Sequence, residues 1–319
     1  MTDERRGREA DAFRDVRANG IRASGFRSCA GCGEALVTWA IWGAITLAVL
    51  VTYSRVDPAE LYNVSHDGLA GGLGRSVTLV NFPIALVAIA LALVAVASLP
   101  HAAWWAAAPV LVLGATLPWV VDQDDLDARW VNAPPALGVL VAGGLTAAAA
   151  GRVGASFAPR RPGDPARAVA AVLVLLLSLP WAAAELGFHF PGDVFMGEEL
   201  AREKDGRVIA AVHLGHHHGT DGALLFLTAL LLSRVWVQRG RLRIALAAYL
   251  GAMLAYGAVN FAQDLWHEQV VKRGWTDAGI PSAILPGARP IWLVIVALAV
   301  LATLAFLREN DGASATHAR

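Results

Sequence analysis

Apolar residues run along this chain in long unbroken stretches, with no internal repeat. Eight stretches stand out, at 35–53, 77–99, 102–121, 135–151, 168–186, 221–237, 242–261 and 291–307. Most of them approach the roughly 20 residues that carry a helix across about 30 Å of hydrocarbon. The spacing predicts an all-α fold, a polytopic integral membrane bundle of about eight transmembrane helices. It divides the chain into a charged N-terminal tail (1–34), a transmembrane domain with long extracytoplasmic loops (35–307) and a short C-terminal tail (308–319). The first apolar stretch is longer than the core of a signal peptide, and no small-x-small cleavage site follows it at Tyr53-Ser54-Arg55. It reads as a retained span, and an even number of spans puts both termini on one side.

Charge distribution orients the array. The side holding the termini carries 17 Arg or Lys and nine acids; the opposite side carries nine basic residues and 17 acids. Basic flanks stay in the cytoplasm, so the acidic loops 54–76, 122–134, 187–220 and 262–290 face outward from the cell membrane. Composition agrees with the patterning, since 56% of the 319 residues are hydrophobic. Net charge is zero, which argues against a nucleic-acid partner. Two cysteines, Cys29 and Cys32, form one C-x-x-C; a single knuckle supplies only two metal ligands, and two free thiols are the simpler reading.

The chemistry concentrates on the acidic side. Seven of nine histidines fall there, four of them in His213-Leu214-Gly215-His216-His217-His218. Loops carried by a rigid scaffold are where function usually resides. Glu185 and His189 are four apart at the end of the fifth span. His213, His217 and Asp221 recur every four residues at the start of the sixth. Asp264, His267 and Glu268 close the seventh. If these segments are helical, each spacing sets two side chains on one face. Gly215 and Gly219 count against a helix through the histidines, at about 1 kcal/mol each; Thr220 or Asp221 then serves as N-cap.

Imidazole and carboxylate together suit a divalent metal. Zinc takes such ligands in a tetrahedral shell and, in catalytic sites, keeps one position open; iron or manganese accepts a mixed set, and copper an all-histidine one. The candidate metal ligands are His189, His213, His217, Asp221, Asp264 and His267, with Glu185 or Glu268 as proton carrier. The resulting expectation is a metal-dependent membrane hydrolase or transferase acting on a lipid-linked or membrane-embedded substrate, with membrane lipids as partners. Two alternatives stand beside it. A metal-ion or proton-coupled solute transporter needs ionisable residues near the bilayer midplane, and few lie deep in the spans. A non-catalytic assembly or sensor protein would tolerate loss of every outer histidine. The pattern fixes no oligomeric state.

Arg75, at the mouth of the second span, reads either as an interfacial anchor or as a clamp for an anionic head group. Inside that span, Asn81 and Pro83 read either as a kink lining a cavity or, more simply, as a polar residue packed against a neighbouring helix. The acidic run from Asp122 to Asp127 lacks the glycine and terminal glutamate of a calcium loop. The segment from Val194 to Val212 reads as a surface-lying lid over the histidines. The spacing His213-x-x-His216-His217 resembles one histidine box of the membrane fatty-acid desaturases. The resemblance covers five residues, and the chain has no second box of that type.

Overall fold

The computed structural model describes residues 32–61, 66–100, 104–114, 128–191, 200–202, 208–210, 212–235, 237, 240–284 and 288–317. Helices make up nearly all of it. In chain order they are α1 (Cys32–Arg55), α2 (Gly68–Leu79), α3 (Ala85–Ser98), α4 (Trp104–Gly114), α5 (Ala133–Val153), α6 (Asp164–Leu177), α7 (Leu179–Glu185), α8 (His218–Leu232), α9 (Gly240–Trp266) and α10 (Ile291–His317). Between α7 and α8 a small antiparallel pair, β1 (Leu200–Arg202) and β2 (Val208–Ala210), aligns Ala201 with Ile209. This pair occupies part of the stretch expected to lie as a lid. The acidic run at 122–127 and all but the last three residues of the N-terminal tail, including Cys29, lie outside the described residues.

Four helical stretches are long and apolar enough to cross a membrane: Cys32–Arg55, Trp130–Val153, Gly240–Val271 and Ile291–Glu309. The number rises to six if two bent pairs are each one span. One pair is α2 with Phe82–Ser98, bent by 43°, and the other is α6 with α7, bent by 59°. The chemistry at both breaks is plain. Phe82 is extended (φ −153°, ψ 119°) ahead of Pro83, which has no N–H to give the helix. Pro180 sits at the second residue of α7, where a new helix tolerates it. Of the two readings of Asn81 and Pro83, the kink is therefore the one present, as a break, and α2 reaches back to Gly68, well before the span edge drawn at 77.

Two of the eight expected spans are shorter within the described residues. α4 covers 11 residues of the stretch 102–121, and α8 covers 15 residues. α9 is longer than the pattern suggested and runs through Asp264 into a wider turn at His267–Val271. α10 continues as helix to His317, through most of what was drawn as a tail.

Small residues set how closely the helices meet. α8 and α9 touch backbone to backbone where Gly222 faces Gly257. A Cβ on Gly222 would lie 2.5 Å from the Phe261 nitrogen, and one on Gly257 would lie 2.7 Å from the Gly222 oxygen. Close approach through glycine is how helices pack when lipid offers no hydrophobic drive. Side-chain bonds tie further pairs: Trp42 Nε1 donates to Thr228 Oγ1 at 3.0 Å, and the Tyr249 hydroxyl donates to the Leu86 carbonyl at 2.7 Å. Elsewhere α10 exposes Leu293, Val296, Val300, Leu301 and Leu304, and α6 exposes Val169, Val172, Leu173, Leu175 and Leu176. Such stripes suit contact with acyl chains.

Charged residues gather at opposite helix ends. At one, Glu34 is fully buried and accepts from the Ala158 N–H at 2.9 Å and from Arg234 Nε at 3.3 Å. Arg234 also reaches Asp164, and Arg167 pairs with Glu309. The histidines and the remaining buried acids occupy the other end.

Candidate metal centre

The histidine stretch is not a helix. α8 begins only at His218, with His217 as an extended N-cap residue (φ −114°, ψ 150°), and Gly215 turns the chain at φ 98°. The four-residue rhythm of His213, His217 and Asp221 therefore does not set them on one helical face. Tertiary bonds hold the stretch instead. Leu214 pairs with Leu61, the Gly215 N–H donates to the Ala184 carbonyl at 2.9 Å, and the His216 N–H donates to the Tyr53 hydroxyl at 3.3 Å. Extended backbone sends consecutive side chains to opposite sides, so His216 and His217 enter two different groups.

The first group joins the histidine stretch to the end of α9. One ligand atom each from His217, Asp264 and Glu268 lies within 4.8 Å of the others. Each residue is held by a donor or acceptor outside the trio. Trp181 Nε1 donates to Glu268 Oε2 at 2.7 Å, and the Gly219 N–H donates to Asp264 Oδ2 at 2.6 Å. His217 Nε2 lies 2.9 Å from the His213 carbonyl. A carbonyl can only accept, so Nε2 carries a hydrogen, and Nδ1 is the nitrogen that faces Glu268 Oε1 at 3.3 Å. In neutral imidazole that nitrogen is a lone pair. A lone pair facing a carboxylate oxygen, with a second carboxylate beside them, calls for a cation between them, either a proton or a metal ion. An acceptor that fixes the tautomer and donors that hold the unused oxygens are what surround ligands in metal sites.

Gly219 allows this arrangement. A Cβ there would lie 2.3 Å from the Trp181 ring, so only glycine lets α8 start beneath the indole. Asp264 and Glu268 are four apart near the end of α9, and the turn at His267–Val271 is wider than α-helical. Such widened turns are frequent at functional sites. His213 stacks its ring on His217, centroids 4.0 Å apart and 20° from parallel, and its Nδ1–H donates to the Leu214 carbonyl at 2.9 Å. Burial and the neighbouring His217 hold the His213 imidazole well below its ordinary pKa, so it is neutral. Burial also pulls the His217 imidazole down, but Glu268 and Asp264 more than offset it, and the net direction is upward.

The second group lies across the chain from the first. His216 Nε2 contacts Asp221 Oδ1 at 2.5 Å, and Nδ1 lies 2.6 Å from Glu185 Oε1. The second contact is an ion pair without hydrogen-bond alignment, since Nδ1 and both Glu185 oxygens have no hydrogen-bond partner among the described residues. All three residues are buried, Glu185 with 1% of its surface exposed. Burial lowers the His216 pKa, yet Asp221 and Glu185 together push it up to about 9, so His216 is an imidazolium between two carboxylates. The Glu185 backbone is anchored as well, its carbonyl accepting from the Thr52 hydroxyl.

The eight candidates thus divide. His217, Asp264 and Glu268 come together, with His213 stacked against them. Glu185 and Asp221 meet on His216 instead. His189 is exposed, four residues past Glu185, because Gly187 (φ 79°) turns the chain outward after α7. His267 is exposed too, since the helical turn that brings Glu268 inward carries its neighbour away. Neither belongs to either group. Sequence reading placed Glu268 as a proton carrier rather than a ligand, and it assigned no part to His216, Trp181, Tyr53 or the Gly219 N–H. Trp181, four residues before Glu185, was open to the same spacing argument used for the acids. The backbone N–H left no signal at all. Compared with known proteins, the chain matches no family model, no curated protein and no solved structure.

Proposed function

We propose that this protein crosses the cell membrane eight times with both termini in the cytoplasm. In this reading it holds a divalent metal ion, zinc by its donors, on His217, Asp264 and Glu268 at the extracytoplasmic face. The activity proposed for it is hydrolysis of, or group transfer on, a lipid-linked or membrane-embedded substrate. The observation that carries the reading is the convergence of His217 Nδ1 with two carboxylates, each already fixed by its own partner. The one-sided charge of the loops supports the orientation.

A divalent ion on these three residues supplies a Lewis acid and lowers the pKa of a water toward neutrality. The chain's own residues do the rest. Trp181 and the Gly219 N–H orient the carboxylates, and the His213 carbonyl fixes the His217 tautomer. The Glu185–His216–Asp221 group holds a proton within one residue of the centre and is the acid–base element in this reading.

A transporter of metal ions or protons is the second reading. It is favoured by the two broken helix pairs and by the buried titratable residues near them, a combination that transporters use. A non-catalytic assembly role has no specific observation behind it.

Metal analysis of the purified protein tests the proposal. Wild type is expected to hold about one equivalent of zinc, as a single site of this kind does. His217→Ala, Asp264→Ala and Glu268→Ala should each lose it, while His189→Ala and His267→Ala keep it. Equal content in all six proteins removes the metal centre, and with it the hydrolase or transferase reading. Metal-dependent ion flux in proteoliposomes, abolished by Glu185→Gln, would favour the transporter.

A further inference from the structure

Among the described residues, Arg75 is a buried cation that no carboxylate pairs with. It lies in α2, about 10 Å along the helix from Gly68 at the usual rise per residue, and only 8% of its surface is exposed. Nη1 donates to Thr78 Oγ1 at 2.9 Å, and the guanidinium carbon sits 5.8 Å from the centre of the Tyr53 ring. Nε is buried with no hydrogen-bond partner. Among the described residues no carboxylate lies within ion-pair distance of it. Burial this complete rules out a side chain that lies along the interface with its charge in water.

Its position is built. α2 lies directly on α1, since a Cβ on Gly72 would lie 2.5 Å from the Leu50 carbonyl and one on Gly71 3.4 Å from the Tyr53 carbonyl. Arg75, one turn further on the same face, is thereby pressed over Tyr53. The Tyr53 hydroxyl in turn receives the His216 N–H. Through Tyr53, Arg75 is therefore joined to the histidine stretch.

Holding a guanidinium in a protein interior is costly unless a hydrogen-bonded anion accompanies it. A hydroxyl and one aromatic face do not replace that anion. Nε–H with its neighbouring Nη–H forms the fork that grips two oxygens of a phosphate, and Nε is the prong with no partner here. We propose that Arg75 is the anion-binding element of the site and that the ligand it takes carries a phosphate group. That this ligand is the substrate of the metal centre rests on the function proposed above. The binding itself does not.

Calorimetric titration of purified protein in neutral detergent tests this with two probes, inorganic phosphate and dihexanoyl phosphatidate. Wild type should bind at least one. Arg75→Gln should weaken that binding by at least about tenfold, the loss expected for a charge-assisted contact, with zinc content unchanged. Arg75→Lys keeps the charge but not the fork, so it should fall between. A tenfold preference for phosphatidate assigns the phosphate to a lipid head group, and equal affinity assigns it to a soluble phosphoester. No binding of either probe by wild type overturns the proposal, as does unchanged affinity in Arg75→Gln. Should Arg75→Gln not fold, unchanged affinity in Arg75→Lys overturns it. Arg75-dependent binding in a protein that holds no metal would leave this inference standing and remove the metal centre.

Discussion

Trp181→Phe isolates the hydrogen bond that holds Glu268. Trp181 is almost wholly buried; it packs edge-on against Phe261 at 5.7 Å and covers Gly219. Phenylalanine keeps the aromatic packing and removes one donor, the Nε1–H that reaches Glu268 Oε2 at 2.7 Å. Hydrogen bonds to charged groups contribute about 1.5–3 kcal/mol. At about 1.4 kcal/mol per decade, their loss weakens binding by roughly 10- to 150-fold. Loss of an orienting partner in known metal sites costs about 10- to 100-fold, which overlaps that range. The assay is competition for zinc against a chromophoric chelator in detergent, with a thermal melt beside it. Zinc affinity should fall by about one to two decades in Trp181→Phe while the protein stays folded. His267→Ala, changing an exposed residue one position from Glu268, should leave affinity unaltered. Affinity within twofold of wild type in folded Trp181→Phe would refute the reasoning, because Glu268 could not then depend on the indole for its place.

Two further outcomes follow from the packing and the charges. Gly222→Val places a branched side chain where Cβ alone would meet the Phe261 nitrogen at 2.5 Å and the Gly257 carbonyl at 2.8 Å. Backbone cannot yield there, so the melt should fall by an amount equivalent to about 1–3 kcal/mol or more, and zinc binding should fall with it. Unchanged stability would mean that α8 and α9 do not cross at these glycines. His216 gives a pH signature in metal-free protein. Its folded pKa of about 9 exceeds the ordinary histidine value of 6.5, so its contribution is complete below pH about 6.5 and is lost as pH rises through about 9. Urea melts across that window should show stability declining in wild type and a flatter profile in His216→Gln.

The division of labour between sequence and tertiary structure shows in particular residues. Long apolar runs announced membrane-compatible helices because an unbroken run cannot be hidden in a small soluble domain. Pro83 left a local signal, a missing N–H, whereas the break at Pro180 fell inside a stretch read as one span, 168–186. The spacing of Asp264 and Glu268 also carried over, since four residues on a helix share a face whatever surrounds them. The rhythm through His213, His217 and Asp221 did not. Gly215 adopts a left-handed turn against Tyr53, and Leu61, Ala184 and Tyr53, residues distant in sequence, hold the stretch extended. That choice sends His216 to Glu185 and Asp221, and His217 to Asp264 and Glu268. Local sequence thus determined which segments are helical and which acids travel as pairs, because those properties depend on neighbours within about one helical turn. The tertiary structure alone decided which imidazole meets which carboxylate and left Arg75 buried with no carboxylate partner among the described residues, because both depend on how closely glycine-lined helices approach.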